Sequence, residues 1–279
     1  MRENEVVLSA QAPARRRVVL ALAALVAVAV VGAGASLVLQ AVSGGRLGAA
    51  ATTRQVPQDQ PGPVLLVPGY GASVAALDPL ARALVAEGKD VSVVRLPEDG
   101  LGDLRVQARA VGVEASAARA RTGAPSVDVV GYSAGGVVAR YWVQELDGQA
   151  QTRRLVTLGS PNHGSEVAEL GTLFDGGCPL ACQQLLPTSP LLGALDKDIA
   201  ASGPRVVSIW TTSDDVVLPP DSARLVGALN VTVQSVCATS RVRHSGLPGD
   251  PVVQRIVGAQ LGAGPPPQLG PDDCGRLSS

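Results

Sequence analysis

A serine stands between glycines in the stretch DVVGYSAGGVVARYW, residues 128–142. The stretch begins with a valine-rich run typical of a buried strand and continues with a helical pattern, so Ser133 falls at the turn between them. Gly131 and Gly135 would let strand and helix pass closely while the turn lifts the hydroxyl out at the strand end. A GxSxG motif is weak evidence by itself, but a strand–turn–helix setting is typical of a nucleophilic serine. Ser133 is therefore our candidate nucleophile.

A serine hydroxyl is a poor nucleophile until a base takes its proton, and the chain has two histidines for that task. His244, in RVRHSGLPGDP, follows the last predicted strand and precedes the last predicted helix. That is where the chain order Ser, Asp, His places its base. His163, in GSPNHGS, could line the site or hold its own loop together through hydrogen bonds. We favour His244 as the base.

Two aspartates follow the strand that precedes the last one, in SIWTTSDDVVLPPD. A carboxylate there would accept a hydrogen bond from the imidazole and stabilise the imidazolium as it forms. Asp214 is nearer the strand end than Asp215, so we prefer it as the acid. The alternative is an ordinary turn, in which aspartate is common.

Negative oxygen in a tetrahedral intermediate needs N–H donors, and two backbone amides are candidates. One belongs to Ala134, which follows the nucleophile. The other belongs to Tyr70 in VPGYGAS, residues 67–73, where the flanking glycines would let the amide turn inward. A glycine-rich turn without a catalytic part is the alternative for that loop.

These residues lie at the ends of elements that alternate along the chain. Apolar runs predict strands at 64–67, 91–96, 126–131, 154–159, 205–210 and 230–236. Helical spacing predicts helices near 77–88, 104–121, 221–229 and 250–261, and one directly after Ser133. The fold class is therefore α/β, with a mostly parallel sheet of about six strands and helices on both faces. Such sheets bind ligands beyond the carboxyl ends of their strands.

The N-terminal region has a different character. Residues 18–42 carry no charge and follow Arg15, Arg16 and Arg17. About 25 uncharged residues can cross a bilayer, and the arginines favour a cytoplasmic N-terminus, residues 1–17. We favour a retained membrane anchor over a cleaved signal peptide, and either one exports the rest of the chain. A small, polar, proline-bearing linker, residues 43–62, leads to the catalytic domain, 63–262, which a tail follows, 263–279.

The cysteines and the net charge indicate the cellular compartment and argue against two kinds of binding site. Four cysteines fit an oxidising compartment, and we prefer the pairs Cys178–Cys182 and Cys237–Cys274 among the three connectivities. With two histidines and no CxxC pair, a metal site is disfavoured. The net charge of −1, with scattered basic residues, gives no indication of a nucleic-acid partner.

Four parts of the chain resemble secreted bacterial lipases and esterases of the α/β-hydrolase fold. They are LLVPGYGAS, DVVGYSAGGVVARYW, LVTLGSPNHGS and the pair SIWTTSDDVVLPP and RHSGLPGDP. The resemblance implies a catalytic triad of Ser133, Asp214 and His244, an oxyanion hole from the Tyr70 and Ala134 amides, and little or no lid. Many relatives have His-Gly where this chain has Pro68-Gly69. The segment 181–195 is also lipase-like, and substrate contacts are expected from His163, Leu185 and Leu186.

We therefore expect an exported, monomeric serine hydrolase that cleaves lipid or other acyl esters and needs no cofactor. Its N-terminal segment would provide the contact with the membrane. One alternative is an acyltransferase that acts on a cell-envelope component. The other is a non-catalytic, membrane-tethered binding module on the same scaffold. The presence of all three residue types of the triad argues against the last of these.

Overall fold

The computed structural model describes residues 56–71, 74–166, 177–196, 199 and 203–279. The predicted N-terminus, the predicted membrane segment 18–42 and most of the predicted linker lie outside these residues. Within the described part of the chain, no helix is long and apolar enough to cross a membrane.

The described residues contain one sheet of six parallel strands, in the order β2-β1-β3-β4-β5-β6. The strands are β1 (Val64–Val67), β2 (Val91–Val93), β3 (Val127–Tyr132), β4 (Thr152–Leu158), β5 (Arg205–Trp210) and β6 (Leu229–Thr232). All residues of β1, β3 and β4 are buried. Such burial on both faces explains why these strands appear in the sequence as continuous apolar runs.

Helices cover both faces of the sheet. In chain order they are α1 (Asp78–Ala86), α2 (Leu104–Thr122), α3 (Ala134–Glu145), α4 (Leu180–Gln184), α5 (Pro190–Leu195), α6 (Val233–Val236), α7 (Pro251–Gln260) and α8 (Cys274–Ser278). Apolar side chains of α2 and α3 pack with Val127 and Val129 on one face of β3. Those of α1 and α7 pack with Val130 and Tyr132 on the other. The expected α/β architecture is thus confirmed, with two apolar layers around one sheet.

Capping residues define ends of the helices α2 and α7. Asp103 caps α2 by accepting a hydrogen bond from the Arg105 amide at 2.9 Å, and Gly123 ends that helix in a left-handed conformation. Asp250 caps α7 through the Val253 amide at 3.0 Å, next to a proline in the first turn. Aspartate at the N-cap marks where each helix begins, and glycine after the last turn marks where α2 ends; both residue types can be recognised in the sequence.

Two predicted elements near the C-terminus were wrong. The helix expected at 221–229 is a single 3₁₀ turn, Pro220–Ala223. After it, the Asn230 side chain accepts from the Leu225 amide and donates to the Leu225 carbonyl, which satisfies backbone groups without a helix. The strand expected at 230–236 ends at Thr232, because the Thr232 hydroxyl accepts from the Ser235 amide and caps α6.

Two disulfides have the pairing favoured from the sequence. Cys178–Cys182 joins a residue just before the short helix α4 to a residue within it, with 5.4 Å between the Cα atoms. Cys237–Cys274 joins the residue after α6 to the start of α8, with a Cα separation of 5.0 Å. The second bridge holds the C-terminal tail on the domain, where Leu277 is buried. The tail ends in the helix α8, whose Leu277 anchors it in the apolar layer.

A fully buried ion pair lies near the start of β3. Arg153 donates from Nε and Nη2 to the two carboxylate oxygens of Asp128, at 2.9 and 2.5 Å. The same guanidinium donates to the carbonyls of Gln58, Leu261 and Gly262. Arg153 thus connects two strands, the segment before β1 and the segment after α7.

We predict that Asp128→Asn lowers the free energy of unfolding by about 3 kcal/mol, because it leaves the buried Arg153 charge uncompensated. Urea denaturation measures this loss. Asp90→Asn is the matched control, since Asp90 pairs with Arg121 in an exposed setting and should cost less than about 1 kcal/mol. Equal losses in the two variants would contradict the prediction.

Candidate active site

Ser133 lies at a sharp corner between β3 and α3, with φ 54° and ψ −129°. We call residues 131–136 the elbow. A Cβ at Gly135 would collide with the carbonyl oxygens of Val67 and Pro68, and one at Gly131 would lie 2.5 Å from the Gly135 carbonyl oxygen. Only glycine permits this close approach of β3, α3 and the end of β1. The corner places the Ser133 hydroxyl at the carboxyl edge of the sheet, as expected from the sequence.

His244 connects Ser133 to Asp214. Its Nε2 lies 3.0 Å from Ser133 Oγ, and its Nδ1 lies 2.8 Å from Asp214 Oδ2. An ionised carboxylate only accepts hydrogen bonds, so Nδ1 carries the proton and Nε2 is left to accept from the serine hydroxyl. Both the histidine and the aspartate are buried. The structure therefore brings together the three side chains that the sequence singled out, in the order nucleophile, base, acid.

The Asp214 carboxylate is held on both oxygens. Oδ1 accepts from the amides of Val216 and Val217, at 3.0 and 2.8 Å, while Oδ2 faces the imidazole. Its neighbour Asp215 instead binds Arg243 at the exposed surface, at 3.1 Å. Burial acts to raise the pKa of Asp215, but hydrogen bonds, first that from Arg243, outweigh it and lower that pKa below its usual value. The geometry thus distinguishes the two aspartates.

Thr211 and Gln234 link the loop that carries Asp214 to the loop that carries His244. Thr211 Oγ1 donates to the Val242 carbonyl at 2.7 Å and accepts from the Ser213 amide and from Gln234 Nε2. Gln234 Oε1 accepts from the Thr212 amide at 2.9 Å. Neither residue was predicted from the sequence. Gln234 falls in a predicted strand, and a threonine after a strand gives no signal of such a role.

The loop after β1, which carries Tyr70, lies beside the nucleophile. A Cβ at Gly69 would be 2.8 Å from the Ser133 Cβ, and Gly71 has φ 59°, a backbone conformation that favours glycine. Ala134 is the first residue of α3, so its amide belongs to the unsatisfied donors of the helix N-terminus. Burial raises the pKa of Tyr70. Of the two residues proposed for an oxyanion site, Ala134 therefore lies within the elbow, and Tyr70 belongs to the loop beside it.

His163 lies near the site without contacting Ser133 among the described contacts. Its ring Nε2 is 2.9 Å from the Arg224 carbonyl, and its amide donates to the Ser222 carbonyl. The histidine thus fastens its loop to the segment after β5. The same loop reaches the base through Gly159, where a Cβ would lie 3.4 Å from His244 Nδ1.

Arg140 fastens that loop from the other side. This buried arginine of α3 donates to the Asn162 carbonyl at 2.9 Å and to the Leu195 carbonyl at 2.8 Å. Burial lowers its pKa to about 10, with Asp196 acting against that shift. The Arg140 guanidinium, bound to these backbone carbonyls, thus joins α3 to the 159–166 loop and to α5.

The two leucines expected to contact substrate lie in different environments. Leu185 is buried in the core layer with α5, whereas Leu186 is 39% exposed. Among the described residues there is no group of three or more His, Cys, Asp and Glu side chains that could hold a metal ion.

Comparison with known proteins gives a family and a fold. The family model described as lipase (class 2) matches residues 115–254, half of the chain. The structure is similar to Aspergillus fumigatus lipase B, with a TM-score of 0.64 and 20% identity over 78% of this chain and 60% of that chain. It is also similar to the mature form of Bacillus licheniformis lipase BlEst2, with a TM-score of 0.51 and 18% identity over 63% of this chain and 85% of that chain. No curated protein sequence matches at a significant level.

We predict that Thr211→Val lowers the free energy of unfolding by about 2 kcal/mol, because it deprives three polar groups of their partner at nearly constant volume. Urea denaturation checks this. Thr212→Val is the control: Thr212 is exposed and uses only its amide in the network, so its effect should stay within about 0.5 kcal/mol. A Thr211→Val protein as stable as wild type would show that the link between the loops carries no energy.

Proposed function

The chain belongs to the class 2 lipase family, and from that membership we propose an exported serine hydrolase that acts through an acyl-enzyme. Carboxylic ester hydrolysis is the activity of the family, and the α/β-hydrolase fold expected from the sequence is confirmed. The observation that supports the proposed mechanism is the hydrogen-bonded series Asp214–His244–Ser133. Its three members follow three different strands and meet at one edge of the sheet.

Acylation begins when Ser133 Oγ attacks the ester carbonyl carbon and its proton passes to His244 Nε2. The C–O bond to the alcohol then breaks, and the imidazolium returns the proton to the leaving alkoxide. Water attacks the acyl-enzyme in the same way and releases the acid and the free serine. Asp214 fixes the tautomer of His244 and stabilises the imidazolium in both halves.

The amides of Tyr70 and Ala134 donate to the negative oxygen of each tetrahedral intermediate in this mechanism. Their support is positional: the Tyr70 loop lies against Ser133, and Ala134 begins α3, whose N-terminal end carries partial positive charge. His163 and Leu186 contribute at most to the outer part of the substrate site, because His163 is fastened to Arg224 and Leu186 lies partly in solvent.

Export is proposed from two observations. Both disulfides require an oxidising compartment, and the uncharged segment 18–42 follows three arginines. The proposed order is a cytoplasmic N-terminus, an anchor or signal segment, a linker and a catalytic domain over 63–262. The mass of the native protein tests it: an intact mass supports the anchor, and loss of the segment supports secretion.

The first test of the mechanism is the hydrolysis of p-nitrophenyl esters from acetate to palmitate by the full-length protein. We predict that Ser133→Ala and His244→Ala each reduce kcat at least about a thousandfold, because each removes an essential part of the acylation step. A folded wild type that neither turns over an ester nor forms an acyl-enzyme would contradict the proposal. An acyl-enzyme that forms but is resolved only by an added alcohol would favour acyl transfer instead.

The second test separates the two aspartates. We predict that Asp214→Asn reduces kcat by about a thousandfold or more, since it removes the charge that stabilises the imidazolium and fixes its tautomer. Asp215→Asn should stay within about twofold of wild type, because a surface ion pair contributes little. The reverse order of effects would assign the acid to Asp215.

A further inference from the structure

Tyr132 is the last residue of β3 and directly precedes the nucleophile. It pairs with Leu158 of β4, and the Ser133 amide donates to the Leu158 carbonyl at 2.8 Å, so the strand is held in the sheet up to the elbow. Side chains alternate along β3, and Tyr132 follows Asp128 and Val130 towards the α1/α7 face. Its side chain is buried there with the apolar residues of those helices. No role was predicted for this tyrosine from the sequence.

On that face Tyr132 contacts the base twice. Its hydroxyl donates to the main-chain carbonyl of His244 at 3.1 Å, and its ring centroid lies 5.3 Å from that of the imidazole, tilted by 32°. The same carbonyl accepts from the Leu247 amide at 3.1 Å, within the 3₁₀ turn that begins at His244. A buried tyrosine hydroxyl needs a polar partner, and here that partner is the backbone of the base itself.

His244 is therefore fixed at two points by different groups. Asp214 holds the ring through Nδ1, while Tyr132 holds the backbone from which the ring extends. We propose that Tyr132 is a positioning residue for His244, which keeps Nε2 aimed at the serine that follows Tyr132 in the chain. The end of β3 then supplies both the nucleophile, Ser133, and Tyr132, the residue that holds its base. The position of His244 relative to Ser133 therefore depends on few intervening bonds. This inference rests on the proposed roles of Ser133 and His244.

The electrostatic surroundings keep the phenol in its donating form. Burial, and after it the negative charges of Asp214 and Asp215, raise the pKa of Tyr132 well above its ordinary value. The hydroxyl thus remains protonated throughout the range in which an imidazole titrates. The hydrogen bond from the Tyr132 hydroxyl to the His244 carbonyl is therefore retained when the imidazole takes up a proton.

The kinetic test uses Tyr132→Phe, which retains the ring and removes only the donor. Active sites are titrated with a p-nitrophenyl phosphonate, and turnover is expressed per titrated site. We expect kcat per site to fall about tenfold, which corresponds to about 1.4 kcal/mol in the barrier, with KM within about twofold. Tyr132→Leu, which also removes the ring, should fall further. Tyr141→Phe on α3 is the control and should retain wild-type turnover.

A spectroscopic readout complements the kinetics. The chain has two histidines, so the ring signals of ¹⁵N-histidine-labelled protein are few enough to assign. We expect the Nδ1 proton of His244 to broaden or shift in Tyr132→Phe while the signals of His163 stay unchanged. This measurement does not depend on turnover and applies to any variant that folds.

The outcomes separate the two proposals. Wild-type turnover per site and an unchanged His244 signal in Tyr132→Phe would overturn the positioning role, even if the variant melts at a lower temperature. A loss that Tyr141→Phe reproduces would overturn it as well, because the effect would then be general. A wild-type protein that neither hydrolyses esters nor reacts with the phosphonate would instead overturn the proposed function.

Discussion

The backbone of Ser133 is the constraint on which the rest of the site depends. A non-glycine residue at φ 54° and ψ −129° costs about 1–3 kcal/mol and persists only where the surroundings hold it. Here they do so from both sides: β3 stays paired with β4 up to Tyr132, and α3 buries Val137, Val138 and Trp142 in the core immediately after the corner. The elbow glycines then let α3 start against the end of β1. The strain at Ser133 is thus offset by burial of the elements that meet there.

Asp214 and His244 are brought to this corner in a different way. Asp214 follows β5 after three residues of loop, and His244 lies beyond β6 and α6 at the end of a loop over 237–243. Polar side chains therefore position these two residues, whereas packing positions Ser133 at the elbow. Thr211 and Gln234 connect the two loops, and the Val216 and Val217 amides orient the carboxylate. These contacts are 2.7–3.0 Å long and at least partly buried. They hold the imidazole between two oxygens although residues 237–243, which lead to His244, form no helix or strand.

This difference explains what the sequence could predict. Most strands could be predicted because burial on both faces requires continuous runs of apolar residues. The elbow could be predicted because its close backbone contacts require glycines at fixed positions around Ser133. Ser133, Asp214 and His244 could be chosen because the order of strand ends limits the positions for each role. The prediction of a helix at 221–229 was wrong because the Asn230 side chain binds the backbone N–H and C=O of Leu225. The spacing of apolar residues gives no sign of such a contact. Thr211, Gln234 and Tyr132 were missed because they bind groups that are distant in sequence, most of them in the backbone.

The register of β3 ties stability to the arrangement of the site. On its α1/α7 face the strand presents Asp128, Val130 and Tyr132 in succession. Asp128 binds Arg153 at one end, and Tyr132 binds the His244 backbone at the other. A slip of one residue would turn all three to the opposite face, and would leave a buried arginine without its carboxylate. The ion pair near the start of β3 therefore favours one register along the whole strand, the register that places Ser133 at the corner.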